Sequence, residues 1–186
     1  MNATTMPVPA QSALVILIPE VESLVKAFRD HYDPSAAAGV PAHVTLLYPF
    51  KPPYELTAEV LATLRDLFSQ QPGFTVTFQD FQEFPDVLYL APSPAEPFRQ
   101  LTELLANRYP ETPPYGGAFT EIIPHLTLAQ AGAAQPLDEI AAKFREVAST
   151  SLPIQAQVDM VSLLDNTSGQ WRLRAQFALG RAQPSG

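Results

Sequence analysis

The chain predicts an α+β protein in which one plan of strands and helices is used twice around a central cleft. Three observations carry that expectation. The frame His-x-Thr-Leu occurs twice, as HVTL at residues 43–46 and HLTL at residues 125–128, in a sequence with only three histidines. The periodic segments that follow each histidine fall at matching distances. Several strand-like segments also carry one apolar and one polar side.

The elements follow in order. Residues 13–18 (ALVILI) form a continuous apolar run, read as a strand buried on both faces. Residues 20–30 place Val21, Leu24, Val25 and Phe28 at helical spacing. Residues 43–48 are a strand that stops at Pro49. Residues 57–70 are a helix with Thr57 as N-cap and a stripe of Val60, Leu61, Leu64, Leu67 and Phe68. Residues 74–78 alternate cleanly, and residues 87–91 make a short strand after a turn at Pro85 and Asp86. Ser93 to Glu96 reads as a capping box opening a helix to about Tyr109, buried through Phe98, Leu101, Leu104 and Leu105. A strand over 125–129 and a helix over 137–149 follow, the helix turning Ile140, Phe144 and Val147 inward. Strands over 154–164 and 170–179 are joined by the NTSG turn at 166–169.

Aligned on the histidines, the next helix begins 14 residues after His43 and 12 after His125. The strand after it starts at offsets of 31 and 29, and the last at 44 and 45. Residues 11–180 are therefore expected to form one bilobal unit of two pseudo-repeats, with tails at 1–10 and 181–186. Exchange of strands between the halves is compatible with the pattern.

Composition bounds the function. Apolar residues make up 46% of the 186 and aromatic ones 10%, a globular mixture, while 20 prolines imply many loops. With no cysteine, disulfides, thiolate catalysis and zinc-cysteine sites are excluded. A net charge of −8 opposes tight, non-specific binding of long nucleic acid. The N-terminus lacks a secretory pattern, and the run at 13–18 is far shorter than the ~20 residues a membrane span needs. A soluble, cytoplasmic monomer without membrane contact is the expectation. No Gly-x-Ser-x-Gly elbow, phosphate-binding glycine loop or His-Glu-x-x-His helix is present.

Alternation puts His43 and Thr45 on one face of their strand and Val44, Leu46 and Tyr48 on the other, so Tyr48 is expected in the core. His125 and Thr127 likewise oppose Leu126 and Leu128. On the last strand Trp171, Leu173, Ala175, Phe177 and Leu179 oppose Arg172, Arg174 and Gln176. If the polar faces confront each other, the two histidines meet across a cleft with both threonines and both arginines near them. Two imidazoles, each with an unperturbed pKa of ~6.5, supply one base and one acid near neutral pH. The threonine hydroxyls can donate to non-bridging phosphate oxygens. The reaction this suits is in-line displacement at a strained phosphodiester, which needs no metal and no cofactor. Arg172 and Arg174 are candidates for phosphate or nucleobase binding. So are Tyr115 and Phe119, in a loop over 110–124 that is long for a plain connection. His31 and Lys51 read as surface residues.

Two His-x-Thr motifs, HVTLLYPF and a proline-preceded HLTLA, together with the W…F-x-LG ending at 171–180, resemble the 2H phosphoesterase superfamily over nearly the whole chain. The branch they are most similar to is the 2′-5′ RNA ligase and RNA 2′,3′-cyclic phosphodiesterase group. The resemblance implies a bilobal fold with two antiparallel-rich sheets facing a cleft and helices outside. It also implies His43 and His125 as the acid–base pair, Thr45 and Thr127 as phosphate binders, and a cyclic nucleotide or short RNA end as partner. Ligation, or a non-catalytic module binding a nucleotide or phosphometabolite in the same cleft, are the alternatives. A purely structural partner protein leaves the matched polar clusters without a use.

Overall fold

The computed structural model describes residues 9–118, 122–130, 132 and 136–180. Two four-stranded antiparallel sheets form the frame. The strands are β1 (Ser12–Leu17), β2 (His43–Leu47), β3 (Phe74–Phe84), β4 (Val87–Ser93), β5 (Leu126–Gln130), β6 (Ile154–Val158), β7 (Met160–Asp165) and β8 (Arg172–Ala178). One sheet has the order β2-β1-β7-β8 and the other β5-β4-β3-β6. The strand expected over 154–164 therefore breaks at Asp159, and its halves serve different sheets.

The helices are α1 (Pro19–Tyr32), the short α2 (Pro34–Ala37), α3 (Ala58–Ser69), α4 (Glu96–Arg108) and α5 (Leu137–Ala148). Thr57 caps α3 by accepting from the Val60 N–H. Ser93 instead ends β4, and Ala95 caps α4 without a side-chain bond, so no capping box forms. Two helices cross to the opposite sheet: α1, which follows β1, packs on β5 and β6, and α4, which follows β4, packs on β2. One buried apolar cluster consequently contains residues of both sheets, from Leu14 and Val44 to Leu126 and Phe144. Phe144 meets Phe28 and Phe81 edge-on at 5.1 and 5.5 Å. The inward row of α5 is Ile140, Ala141, Phe144 and Ala148, which leaves Val147 exposed and not inward. Among the described residues no helix is long and apolar enough to cross a membrane.

The C-terminal end of the fold is closed by backbone contact. Gly180 donates to the Gln71 carbonyl at 2.7 Å and accepts from the Gly73 N–H at 2.9 Å. A Cβ at Gly180 would lie 2.5 Å from the Ser69 carbonyl oxygen, which explains a glycine at the end of the Trp171–Gly180 segment.

Candidate active site

β2 and β5 are the end strands of their sheets, and they lie against each other. His43 opens β2, and His125 immediately precedes β5. Both strands bulge at the same point. Thr45 pairs with Val15 and Leu47 with Leu14, so Leu46 is an extra residue; Thr127 pairs with Tyr89 and Ala129 with Leu88, so Leu128 is its counterpart. A bulge reverses the period-two alternation. Leu46, Leu47, Leu128 and Ala129 are all buried, while His43, Thr45, His125 and Thr127 stay partly open. The same one-residue insertion thus turns Leu47 and Ala129 into the core, while both His-Thr pairs stay on the open face.

The reversal also moves Tyr48. Past the bulge it returns to the face of Thr45, where it packs with Trp171 against Ala13, Val15, Val40 and Leu164 and bonds Gln11 through its hydroxyl. The expectation that Tyr48 points away from His43 fails for that reason. Nor is the cleft side of this sheet wholly polar, since Leu17 sits opposite His43 and belongs to the same small apolar cluster.

Each imidazole is oriented by a carbonyl two residues upstream. His43 Nδ1 lies 2.8 Å from Pro41 O, and His125 Nδ1 lies 2.7 Å from Ile123 O. A carbonyl only accepts, so each Nδ1 carries its proton and each neutral ring has its Nε2 lone pair free for chemistry. Burial pushes His43 down to about 4, helped by the Arg29 and His125 charges and opposed by the Pro41 carbonyl and Asp33. The charge on His125 is thus close enough to disfavour protonation of His43. Burial lowers His125 too, against the Ile123 carbonyl. Its ring is flanked edge-on by Phe84 and Tyr89 at 5.3 and 5.6 Å, and those two rings stack on each other at 4.4 Å.

Tyr115 reaches the same place from a different segment. Its N–H bonds the Tyr48 carbonyl at 2.7 Å, and Lys51 holds Glu111 of the same loop at 2.6 Å. Tyr115 takes a left-handed φ of 51°, an uncommon conformation for a non-glycine residue. Partial burial raises the pKa of its hydroxyl, and hydrogen bonding with Thr45 opposes the rise. Phe119 lies outside the described residues. His31 is exposed at the end of α1, with Nδ1 2.8 Å from the Ala27 carbonyl.

The two arginines are not brought to the histidines. β8 lies three strand spacings from β2, about 14 Å at ~4.8 Å each. A bulge at Arg174 pairs Leu164 with Leu173 and Asp165 with Arg172, so Leu173 takes the cleft-side phase and Arg172 the opposite one. Leu173 is accordingly 53% exposed and not buried with Ala175 and Phe177. Arg172 bonds Ser168 Oγ at 3.1 Å, and Arg174 lies 3.7 Å from Asp165.

Two adjoining bulged end strands thus each deliver one His and one Thr. Residues 18–170 match the family model of the 2′-5′ RNA ligase superfamily. The chain belongs to that superfamily, whose members are 2H phosphoesterases. A protein of Bacillus pumilus provisionally named a phosphoesterase is 34% identical over 122 residues, 62% of this chain and 68% of its own. A similarly named Bacillus licheniformis protein is 26% identical over 89% of this chain and 97% of its own. Among solved structures, E. coli LigT complexed with NADP+ matches with a TM-score of 0.57 and 24% identity, covering 93% of this chain and 99% of that one. TT0787 of Thermus thermophilus matches with a TM-score of 0.62 at 20% identity, covering 93% and 100%. At such identities the structural likeness speaks for the fold. Family and relatives together support a phosphoesterase, acting as a phosphodiesterase or a ligase.

Proposed function

We propose that the protein is a metal-independent phosphodiesterase that opens 2′,3′-cyclic phosphates of nucleotides or short RNA ends. The observation that carries this reading is the repeated bulged frame, which presents two imidazoles with free Nε2 atoms and two threonine hydroxyls on adjoining strands. One neutral imidazole takes a proton from water as its oxygen attacks phosphorus. The bond from phosphorus to the 3′ oxygen breaks in line, the other histidine, protonated, gives its proton to that oxygen, and a 2′-phosphate remains. One water is consumed and the two histidines exchange protonation states. Each transfer contributes ~10²–10⁴-fold. Thr45 and Thr127 donate to the non-bridging oxygens, and the Tyr115 hydroxyl beside Thr45 is positioned to join them. No step in this scheme calls for a metal. The working unit is taken as residues 11–180, a monomer in the cytoplasm.

A nucleotide-sized substrate is supported by the LigT structures complexed with 3′-AMP and with ATP. The acidic chain, at net −8, argues against long RNA. Ligation is the second reading, favoured by the superfamily name. It opens the same cyclic phosphate with a ribose 5′-hydroxyl attacking phosphorus in place of water: the bond to the 3′ oxygen breaks, that oxygen takes the proton, and a 2′-5′ linkage forms.

The test is incubation with the four 2′,3′-cyclic nucleotides and a short RNA ending in a cyclic phosphate, with EDTA throughout. Formation of 2′-phosphates is expected. No turnover of any of them would remove the cyclic phosphate from the account and leave a binding role for the cleft.

A further inference from the structure

Every backbone polar group on the approach to β2 has a partner, and two of those partners are side chains of α1. Residues 40–42 carry five backbone polar groups, because Pro41 has no N–H. Val40 N–H donates to the Ser35 carbonyl at 2.9 Å, and its carbonyl accepts from Arg29 Nη2 at 3.1 Å. Ala42 N–H donates to the Glu22 carboxylate at 2.7 Å, and its carbonyl accepts from the Ile18 N–H at 2.9 Å. The fifth group, the Pro41 carbonyl, faces His43 Nδ1. Its flanking peptides are clamped on both sides, so its direction is set by side chains of α1.

Arg29 is the centre of the clamp. It is 1% exposed, so it meets no substrate. Its Nε donates to Asp33 Oδ2 at 3.0 Å, and Nη2 reaches Ser35 Oγ at 3.2 Å as well as Val40. Asp33 in turn accepts from the Ser35 N–H at 2.9 Å and the Ser35 hydroxyl at 2.8 Å. A buried ion pair is weak evidence of stabilisation; what this one supplies is geometry, since a guanidinium fork joins its three partners at fixed angles. His125 is flanked by Phe84 and Tyr89 in the place where His43 has this polar clamp behind it.

We propose that Arg29, Asp33 and Glu22 are positioning residues that aim the Pro41 carbonyl and thereby hold the tautomer and orientation of His43. This rests on the reading of His43 as an acid–base group. A misaimed carbonyl lets the proton move to Nε2 and turns the reactive nitrogen, a displacement worth about 10²-fold in rate.

The test uses the full-length protein labelled with 15N-histidine. Two-bond proton–nitrogen spectra report the His43 tautomer, and steady-state kinetics on a 2′,3′-cyclic nucleotide separate kcat from KM. Arg29→Lys keeps the charge but loses the planar guanidinium fork that spans the three partners, and Glu22→Ala removes a half-buried acceptor without emptying the core. Both should mix the His43 tautomers and lower kcat at least tenfold with KM within twofold, while Glu22→Gln, which keeps an acceptor oxygen, stays near wild type. A wild-type His43 spectrum in both variants, whatever kcat does, overturns the proposal. If Arg29→Lys does not fold, Glu22→Ala decides. If the wild-type protein turns over no cyclic phosphate, the functional reading fails, and the spectra alone still decide the clamp.

Discussion

Replacing His43 by alanine should change stability against pH as well as rate, and the size of the first effect follows from the site. In the folded protein burial holds this imidazole at about 4, against ~6.5 in an unfolded chain. That gap, at about 1.4 kcal/mol for each pH unit, would amount to about 3 kcal/mol. The ring is only half-buried, its edge open to the cleft, so screening brings the expectation to about 2 kcal/mol. The sign is fixed by which state binds the proton first. As pH falls through 6.5 the unfolded chain takes it up and the native one does not, so stability declines until about pH 4, where the native ring protonates too. Urea unfolding at pH 7.5 and pH 4 on both proteins measures the contribution of His43 together with its coupling to His125. The wild type should lose about 2 kcal/mol more than His43→Ala over that interval. An equal loss in both would refute the buried, neutral His43. Activity in the variant should fall ~10²–10⁴-fold with a cooperative unfolding transition retained.

Other outcomes follow from the same geometry. The kcat/KM profile should be bell-shaped, with an acid limb near pH 4 from His43 and an alkaline limb below 6.5 from His125; a plateau from pH 5 to 8 contradicts it. Thr127→Val should lower kcat ~10²-fold, as loss of one preorganised donor does elsewhere, and kinetics with a cyclic nucleotide would show it. Gly180→Ala forces a Cβ against the Ser69 carbonyl and should destabilise by about 1–3 kcal/mol in a denaturant melt, leaving KM unchanged.

Much of this is legible in the residues because local periodicity decides it. The stripes of α3 and α4, with Leu64, Phe68, Phe98 and Leu105 buried, and the repeated His-x-Thr frame are properties of short windows. What escapes such windows is long-range. A bulge adds one residue opposite a partner that a single strand does not reveal, so plain alternation puts Tyr48 and Arg172 on the wrong faces. The doublets after each threonine, Leu46-Leu47 and Leu128-Ala129, are the signal that could have shown it. Ser93 has the local chemistry of a cap, but pairing with Thr77 keeps it in β4. Phe84 and Tyr89 approach His125 only once β3, β4 and β5 align. Arg29 has a visible sign: it lies four residues beyond Val25 on the buried stripe of α1, where a charge needs a partner.

The most direct measurement of the central claim is phosphorus NMR of a 2′,3′-cyclic nucleotide with wild-type protein and His125→Ala side by side in EDTA. Two cooperating histidines predict conversion to the 2′-phosphate by the wild type and a rate at least a hundredfold lower in the variant. Equal rates, with both proteins folded, would contradict the paired-histidine mechanism.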